Sequence, residues 1–164
     1  MLGDRVPEVE GTASAEFQRK AYAYITHEGR LLVFRHTDFP EAGIQVPGGT
    51  VEPGEDPAQA VMREACEETG LTELRLVAFL GEAHKPGELP GPDHRRYFYH
   101  LICGGTPPER WVHYEMNPSD GSPAPIEFEF FWVTLPDDVP VLSGALDEML
   151  PALCRVHDCG EDPA

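Results

Sequence analysis

Between Asp56 and Gly70 the sequence reads DPAQAVMREACEETG and carries signals for both ends of one helix. Asp56 suits the N-cap, because its side chain accepts from N–H groups that the first turn leaves open. Pro57 suits the first helical position, where a missing N–H costs nothing. Gln59 completes a capping-box pattern with Asp56, and Gly70 suits the C′ position. The spacing predicts a helix from Pro57 to Thr69. At about 100° per residue from Glu64, Glu68 falls near 40° and Glu67 near 300°. Three carboxylates therefore share one face, while Val61, Met62, Ala65 and Thr69 form a stripe for packing on a sheet. Arg63 lies beside Glu67, and Glu55 sits just before the helix.

Like charges at this spacing repel, and crowding them costs more unless a cation compensates. Arg63 supplies one positive charge, not three. A cluster of carboxylate oxygens suits a hard divalent ion, Mg²⁺ or Mn²⁺, and carbonyls of the Pro47-Gly48-Gly49 turn can add a further oxygen. A solvated acidic helix face is the plain alternative.

The 164 residues suffice for one domain with a core, and 41% hydrophobic with 25% charged residues is a globular composition. No apolar run approaches the roughly 20 residues of a membrane span, and MLGDRVPEVEG lacks the pattern of a signal peptide. The expected compartment is the cytoplasm. The net charge of -17 argues against binding a nucleic acid duplex, which requires a basic surface. Cys66, Cys103, Cys154 and Cys159 include no CxxC pair, so a structural zinc site is not expected. All four are expected as free thiols, as suits a cytoplasmic chain.

Residues 1–15 are polar and aperiodic and are expected to form a flexible arm, followed by a single domain over 16–157 and a loose tail over 158–164. KAYAYITHEGRLLVFRH has the pattern of a hairpin, and GIQVPGG of a short strand ending in a turn. LRLVAFLGEAH, RRYFYHLICGG, RWVHYEM and IEFEFFWVTL follow as strands, and SGALDEMLPALCRV as a C-terminal helix with Pro151 as a kink. Strands grouped around two separated helices indicate an α+β sandwich. Neither GxGxxG nor GxxxxGK[ST] is present.

From Gly49 the chain runs five residues to Glu55, seven more to Arg63, then Arg63-Glu64-Ala65-Cys66-Glu67-Glu68-Thr69-Gly70-Leu71. This resembles the Nudix box of the Nudix hydrolases, GX5EX7REUXEEXGU. Every fixed letter matches, with Ala65 where a bulkier aliphatic residue is usual. The resemblance implies an α/β/α sandwich with a mixed β-sheet and the Nudix loop-helix-loop. It implies Mg²⁺- or Mn²⁺-dependent hydrolysis of a nucleoside diphosphate linked to another group. Glu64, Glu67 and Glu68 then take the metal with the Gly48 carbonyl, Arg63 orients Glu64 and Glu67, Glu55 is its ion-pair partner, and Gly49 and Gly70 serve turns. Some members use the glutamate at the place of Glu64 as general base and others one outside the box. Outside candidates are Glu127, Glu129 and Glu82.

For the substrate's remainder, His84, Lys85, His94, Arg95 and Arg96 form the densest basic group and are expected to meet phosphates. Phe34, Tyr97, Tyr99, Trp111 and Trp132 could stack a base, and each also suits the core. Pro86 stands fifteen residues past Leu71, as in members acting on ADP-ribose. Expected partners are a small nucleotide-type substrate and a second copy of the chain. Two other readings stay open. One is a nucleotide-sensing module of the same fold. The other is an isoprenoid diphosphate isomerase, for which Cys103 is the strand cysteine.

Overall fold

The computed structural model describes residues 17–87, 91–116, 118 and 123–157. The expected arm and tail lie outside them. Seven strands form one mixed sheet: β1 (Phe17–His27), β2 (Arg30–His36), β3 (Gly48–Thr50), β4 (Leu74–Lys85), β5 (Asp93–Cys103), β6 (Arg110–Glu115) and β7 (Ile126–Thr134). The order is β4-β5-β1-β2-β7-β6, with β3 added to β1. Among the strands of the described residues, β1 and β5 pair in parallel and the other pairs are antiparallel. Among the described residues no helix is long and apolar enough to cross a membrane.

The sheet divides at β1. Its C-terminal end pairs with β2 only at Thr26–Leu31 and His27–Arg30, as expected of a hairpin closed at Glu28-Gly29. β2 then leaves β1 and runs along β7 from Arg30 to His36. The vacated N-terminal half of β1 takes β3 instead, with Lys20, Ala21 and Tyr22 opposite Thr50, Gly49 and Gly48. A reciprocal pair of backbone hydrogen bonds between Phe34 and Gln45 ties the connecting segment back to β2. The fork between β2 and β3 is the mouth of a cleft.

Helix α1 (Pro57–Thr69) covers one face of the sheet, and its ends follow the sequence pattern. The Asp56 carboxylate accepts from Ala58 N–H, the Gln59 side chain accepts from Asp56 N–H, and Gly70 adopts φ 78°. Val61 and Ala65 are fully buried against Ala21, Ala23, Ile25, Phe34 and Phe130. The opposite face packs Tyr24, Leu31, Val33 and Phe98 against Leu142, Leu146 and Leu153 of the C-terminal segment. Alternation along each strand sends even and odd residues to these two cores.

Three elements differ from the sequence expectation. GIQVP contributes only single bridges, and the strand begins at Gly48. The C-terminal helix is broken: Ser143–Ala145 form a 3₁₀ turn with Gly144 and Ala145 at positive φ, and helix α2 starts only at Leu150 (Leu150–His157). Side chains from the sheet satisfy the backbone there. Arg96 donates to Gly144 O at 2.7 Å, and the Tyr24 hydroxyl donates to Leu146 O at 2.6 Å while accepting from Met149 N–H. Pro151 therefore stands in the first turn of α2, where its missing N–H is harmless, rather than at a kink. Cys66 and Cys103 are free thiols, whereas Cys154 is disulfide-bonded, which corrects the expectation of free thiols throughout.

The Tyr24 hydroxyl is the buried hinge pin of the C-terminal segment. Tyr24→Phe should cost about 1–3 kcal/mol by leaving Leu146 O and Met149 N–H unpaired. Urea unfolding is expected to show a lower midpoint with an unchanged slope; an unaltered midpoint would remove this role.

Candidate active site

Arg63 ties the loop before α1 to the helix. Its Nε and Nη2 fork onto the Glu55 carboxylate, both at 2.9 Å, while Nη1 donates to Glu64 Oε2 at 3.0 Å and Nη2 also reaches Thr50 O at 3.2 Å. Glu67 lies 3.6 Å from Nη1. Glu55 also accepts from Glu52 N–H. The Arg63 fork and this N–H hold its carboxyl far down, at about 2. The same pairing, led by Glu55, pushes Arg63 up. One guanidinium thus fixes the loop, the end of β3 and the side chain of Glu64.

Glu68 is buried beneath this arrangement, with Oε1 accepting from Gly48 N–H at 3.0 Å. Burial drives its pKa well above the ordinary carboxylate value. The Gly48 N–H opposes this, and the charges of Glu64, Glu115 and Glu67 add to it. Glu64 is raised for the same first reason, with Arg63 pulling it down and Glu67 and Glu115 pushing it up. The glycines are needed for close approach. A Cβ on Gly49 would collide with the Glu64 carboxylate, and one on Gly48 with Tyr22 and Ala21 O. Gly70 both reverses the chain and leaves room for the His113 ring.

Glu64 and Glu68 line a cavity of about 380 Å³ at the fork of β2 and β3, with Lys20, Gly48, Gly49 and Glu115. Sequence reading missed Glu115 and Lys20. Glu115 is placed by period two. Trp111 donates to Thr69 O at 2.8 Å, and His113 lies 3.0 Å from Glu67 O. Two positions staple β6 to the C-terminal end of α1, so the next residue on that face, Glu115, enters the cavity. Lys20 brings the cation, and its Nζ donates to Thr50 Oγ1 at 2.9 Å.

The outside candidates named from sequence are not in the lining of this cavity. Phe128 and Phe130 face α1, so Glu127 and Glu129 point to the other side of β7. Glu129 is held between Arg35 at 3.0 Å and Arg110 at 2.7 Å, which lower its pKa. Glu82 lies beside Arg95 at 3.5 Å, on β4.

The basic group does not assemble at the carboxylates. Arg95 stacks over Phe17, and His84 pairs with Asp93 at 3.1 Å; with Glu82 they border a separate surface depression. Arg96 is only 4% exposed, lies over the Tyr22 ring and braces Gly144, which makes it a strut of the second core. Lys85 pairs in register with His94, on the β4–β5 side of the sheet. Of the five aromatic residues named from sequence as base-stacking candidates, Phe34 alone borders the cavity, where Phe128 joins it. Cys103 is buried and its thiol is pushed up by burial, with Glu73 beside it, outside the cavity.

Among the described residues no three His, Cys, Asp or Glu side chains already converge as a closed metal cage. The donor set nonetheless fits a hard cation. Two carboxylates have raised pKa values and a third adds charge, so ionising all of them together requires a positive partner beyond Arg63.

A family profile described as NUDIX domain matches residues 16–151. Among solved structures, the chain is similar to a MutT NUDIX hydrolase from Burkholderia pseudomallei, with 25% identity, TM-score 0.58, and coverage of 85% of this chain and 98% of that one. It shares the fold of a UDP-X diphosphatase at 17% identity and TM-score 0.59, covering 96% of this chain and 74% of that one. Two RNA pyrophosphohydrolases match locally. That of Gluconobacter oxydans (strain 621H) is 38% identical over 56 residues, 34% of this chain and 33% of the relative. That of Acidiphilium cryptum (strain JF-5) is 40% identical over 63 residues, 37% of this chain and 38% of the relative. The matched stretch is well under half the length of either relative. With the profile spanning most of the chain and the carboxylate helix in place, this protein belongs to the Nudix family.

Proposed function

We propose that the chain is a Mg²⁺- or Mn²⁺-dependent pyrophosphohydrolase acting on a small nucleoside diphosphate-linked substrate. The observation that carries this is the convergence of Glu64, Glu68 and Glu115 with Lys20 on one cavity. Glu64, Glu67, Glu68 and the Gly48 carbonyl would hold the ion, with Glu115 as an added carboxylate. When bound, a divalent ion neutralises charge on the pyrophosphate and acidifies water for in-line attack.

The chain's own residues set the geometry for this. Arg63 holds Glu64 at the edge of the cavity, and Glu55 prevents Arg63 from turning away. Gly48 N–H fixes the Glu68 carboxylate. Lys20 supplies positive charge for a substrate phosphate in a chain of net charge -17. Glu115 lies outside the helix and lines the same cavity; where Glu64, Glu67 and Glu68 hold the ion, Glu115 would take the proton of an attacking water, with Glu64 as the second candidate. The named activity of the RNA pyrophosphohydrolases suggests RNA as an alternative substrate, but a chain this acidic disfavours a long polyanion.

A screen of nucleoside triphosphates, nucleotide sugars and ADP-ribose, read by chromatography of the nucleoside monophosphate product, should show turnover with Mg²⁺ or Mn²⁺ and none with chelator. Glu68→Gln, folded by circular dichroism, should lose at least about 100-fold in kcat. Undiminished turnover in Glu68→Gln would overturn the proposal. Glu55→Gln should lower kcat by about 10- to 100-fold through a loosened Arg63, as supporting-residue changes do at metal sites. Glu115→Gln should lower kcat by about 100-fold with little change in KM, and equal kcat would assign the proton to Glu64.

A further inference from the structure

The carboxylate cavity opens into a second chamber of about 480 Å³, lined mainly by apolar surface from Phe39, Ala42, Pro125 and Ile126, with His36 and Asp38 as its polar groups. His36, Ala42 and Ile126 belong to both spaces, so one ligand can occupy the two together. The first space is charged and suits a phosphate chain. The second suits a flat apolar body with a polar edge.

Phe39 is the aromatic residue of the second chamber, and it is 55% exposed. The backbone that presents it is firm. Pro40 follows it, and Phe39 stands at φ -136° and ψ 70°, just before the 3₁₀ turn Pro40–Ala42. Ala42 N–H closes on Phe39 O at 2.9 Å, Gly43 N–H closes on Pro40 O at 3.1 Å, and the Gln45 amide donates to Ala42 O. A firm turn that holds an aromatic ring in the open at a cavity mouth is a stacking platform. His36 stands where the two spaces meet, its ring edge-on to Phe128 at 4.9 Å. Asp38, as a carboxylate, only accepts hydrogen bonds and so favours a base edge that carries N–H groups.

We propose that this chamber binds the nucleobase of the substrate, with the base stacked on Phe39 and its N–H edge turned to Asp38. Phe39 and Asp38 are then specificity determinants, and the preferred bases are those with paired N–H donors, as in guanine, over uracil. The assignment deepens the pyrophosphohydrolase reading and rests on it for the placement of the phosphates.

The test is binding of GMP and UMP, measured by calorimetry in the full chain, beside binding of inorganic pyrophosphate with Mg²⁺. Phe39→Ala should weaken GMP by roughly 5- to 100-fold, Phe39→Trp should restore it, and pyrophosphate binding should be unchanged in both. Asp38→Asn should narrow the preference for GMP over UMP. GMP affinity unchanged in Phe39→Ala, or pyrophosphate binding lost along with it, overturns the assignment, as does an unaltered base preference in Asp38→Asn. The two readings fail separately. If no nucleotide is hydrolysed while GMP binding still depends on Phe39, the hydrolase reading fails. If hydrolysis persists with unchanged KM in Phe39→Ala, the nucleobase assignment fails.

Discussion

The site depends on four hydrogen bonds donated by one arginine. Arg63 reaches the preceding loop through Glu55, the end of β3 through Thr50 O, and the cavity through Glu64. A guanidinium can do this because its donors are rigidly splayed and always charged. A lysine would offer one compact charge in place of the fork. The helix N-cap and the left-handed Gly70 fix where α1 begins and ends, but Arg63 fixes how its carboxylates stand relative to the glycines of β3. Glu68 is then trapped against Gly48 N–H, and its burial, with the charges of Glu64, Glu115 and Glu67 added, raises its pKa and favours a cation beside it.

The sheet supplies the space. β1 is long enough to pair with two different strands on the same edge, and the exchange of β2 for β3 halfway along it opens the fork. The far wall comes from β6 and β7, which meet α1 through Trp111 and His113. Two adjoining spaces result: carboxylates and a lysine stand with Phe34 and Phe128 in one, and the other is mainly apolar with His36 and Asp38 as its polar groups. A substrate with a polyanionic end and a planar end matches that division.

Much of this was legible in the residues themselves. Asp56, Pro57, Gln59 and Gly70 marked the helix, and period 3.6 put Glu64, Glu67 and Glu68 on one face and Val61 and Ala65 in the core. These are local signals, spaced within a few residues. What escaped was set by distant pairing. Glu115 is an ordinary strand glutamate until β6 is laid beside α1; its place in the period-two series Trp111, His113, Glu115 was the available clue. Glu127 and Glu129 were placed on one side of β7 by period two, but only the packing of Phe128 and Phe130 with α1 shows which side that is. Arg96 had the look of a phosphate ligand, and the left-handed turn at Gly144 that it braces could not be foreseen from a segment with a helical pattern.

The most direct measurement is carbon-13 spectroscopy of glutamate carboxyl groups during a titration with Mn²⁺, whose unpaired electrons broaden nearby resonances. The carboxyls of Glu64, Glu67 and Glu68 are expected to broaden first, at substoichiometric ion, with Glu115 close behind and Glu129 unaffected. If the ion instead broadens exposed carboxylates at random and leaves Glu68 sharp, the acidic face of α1 is not a cation site.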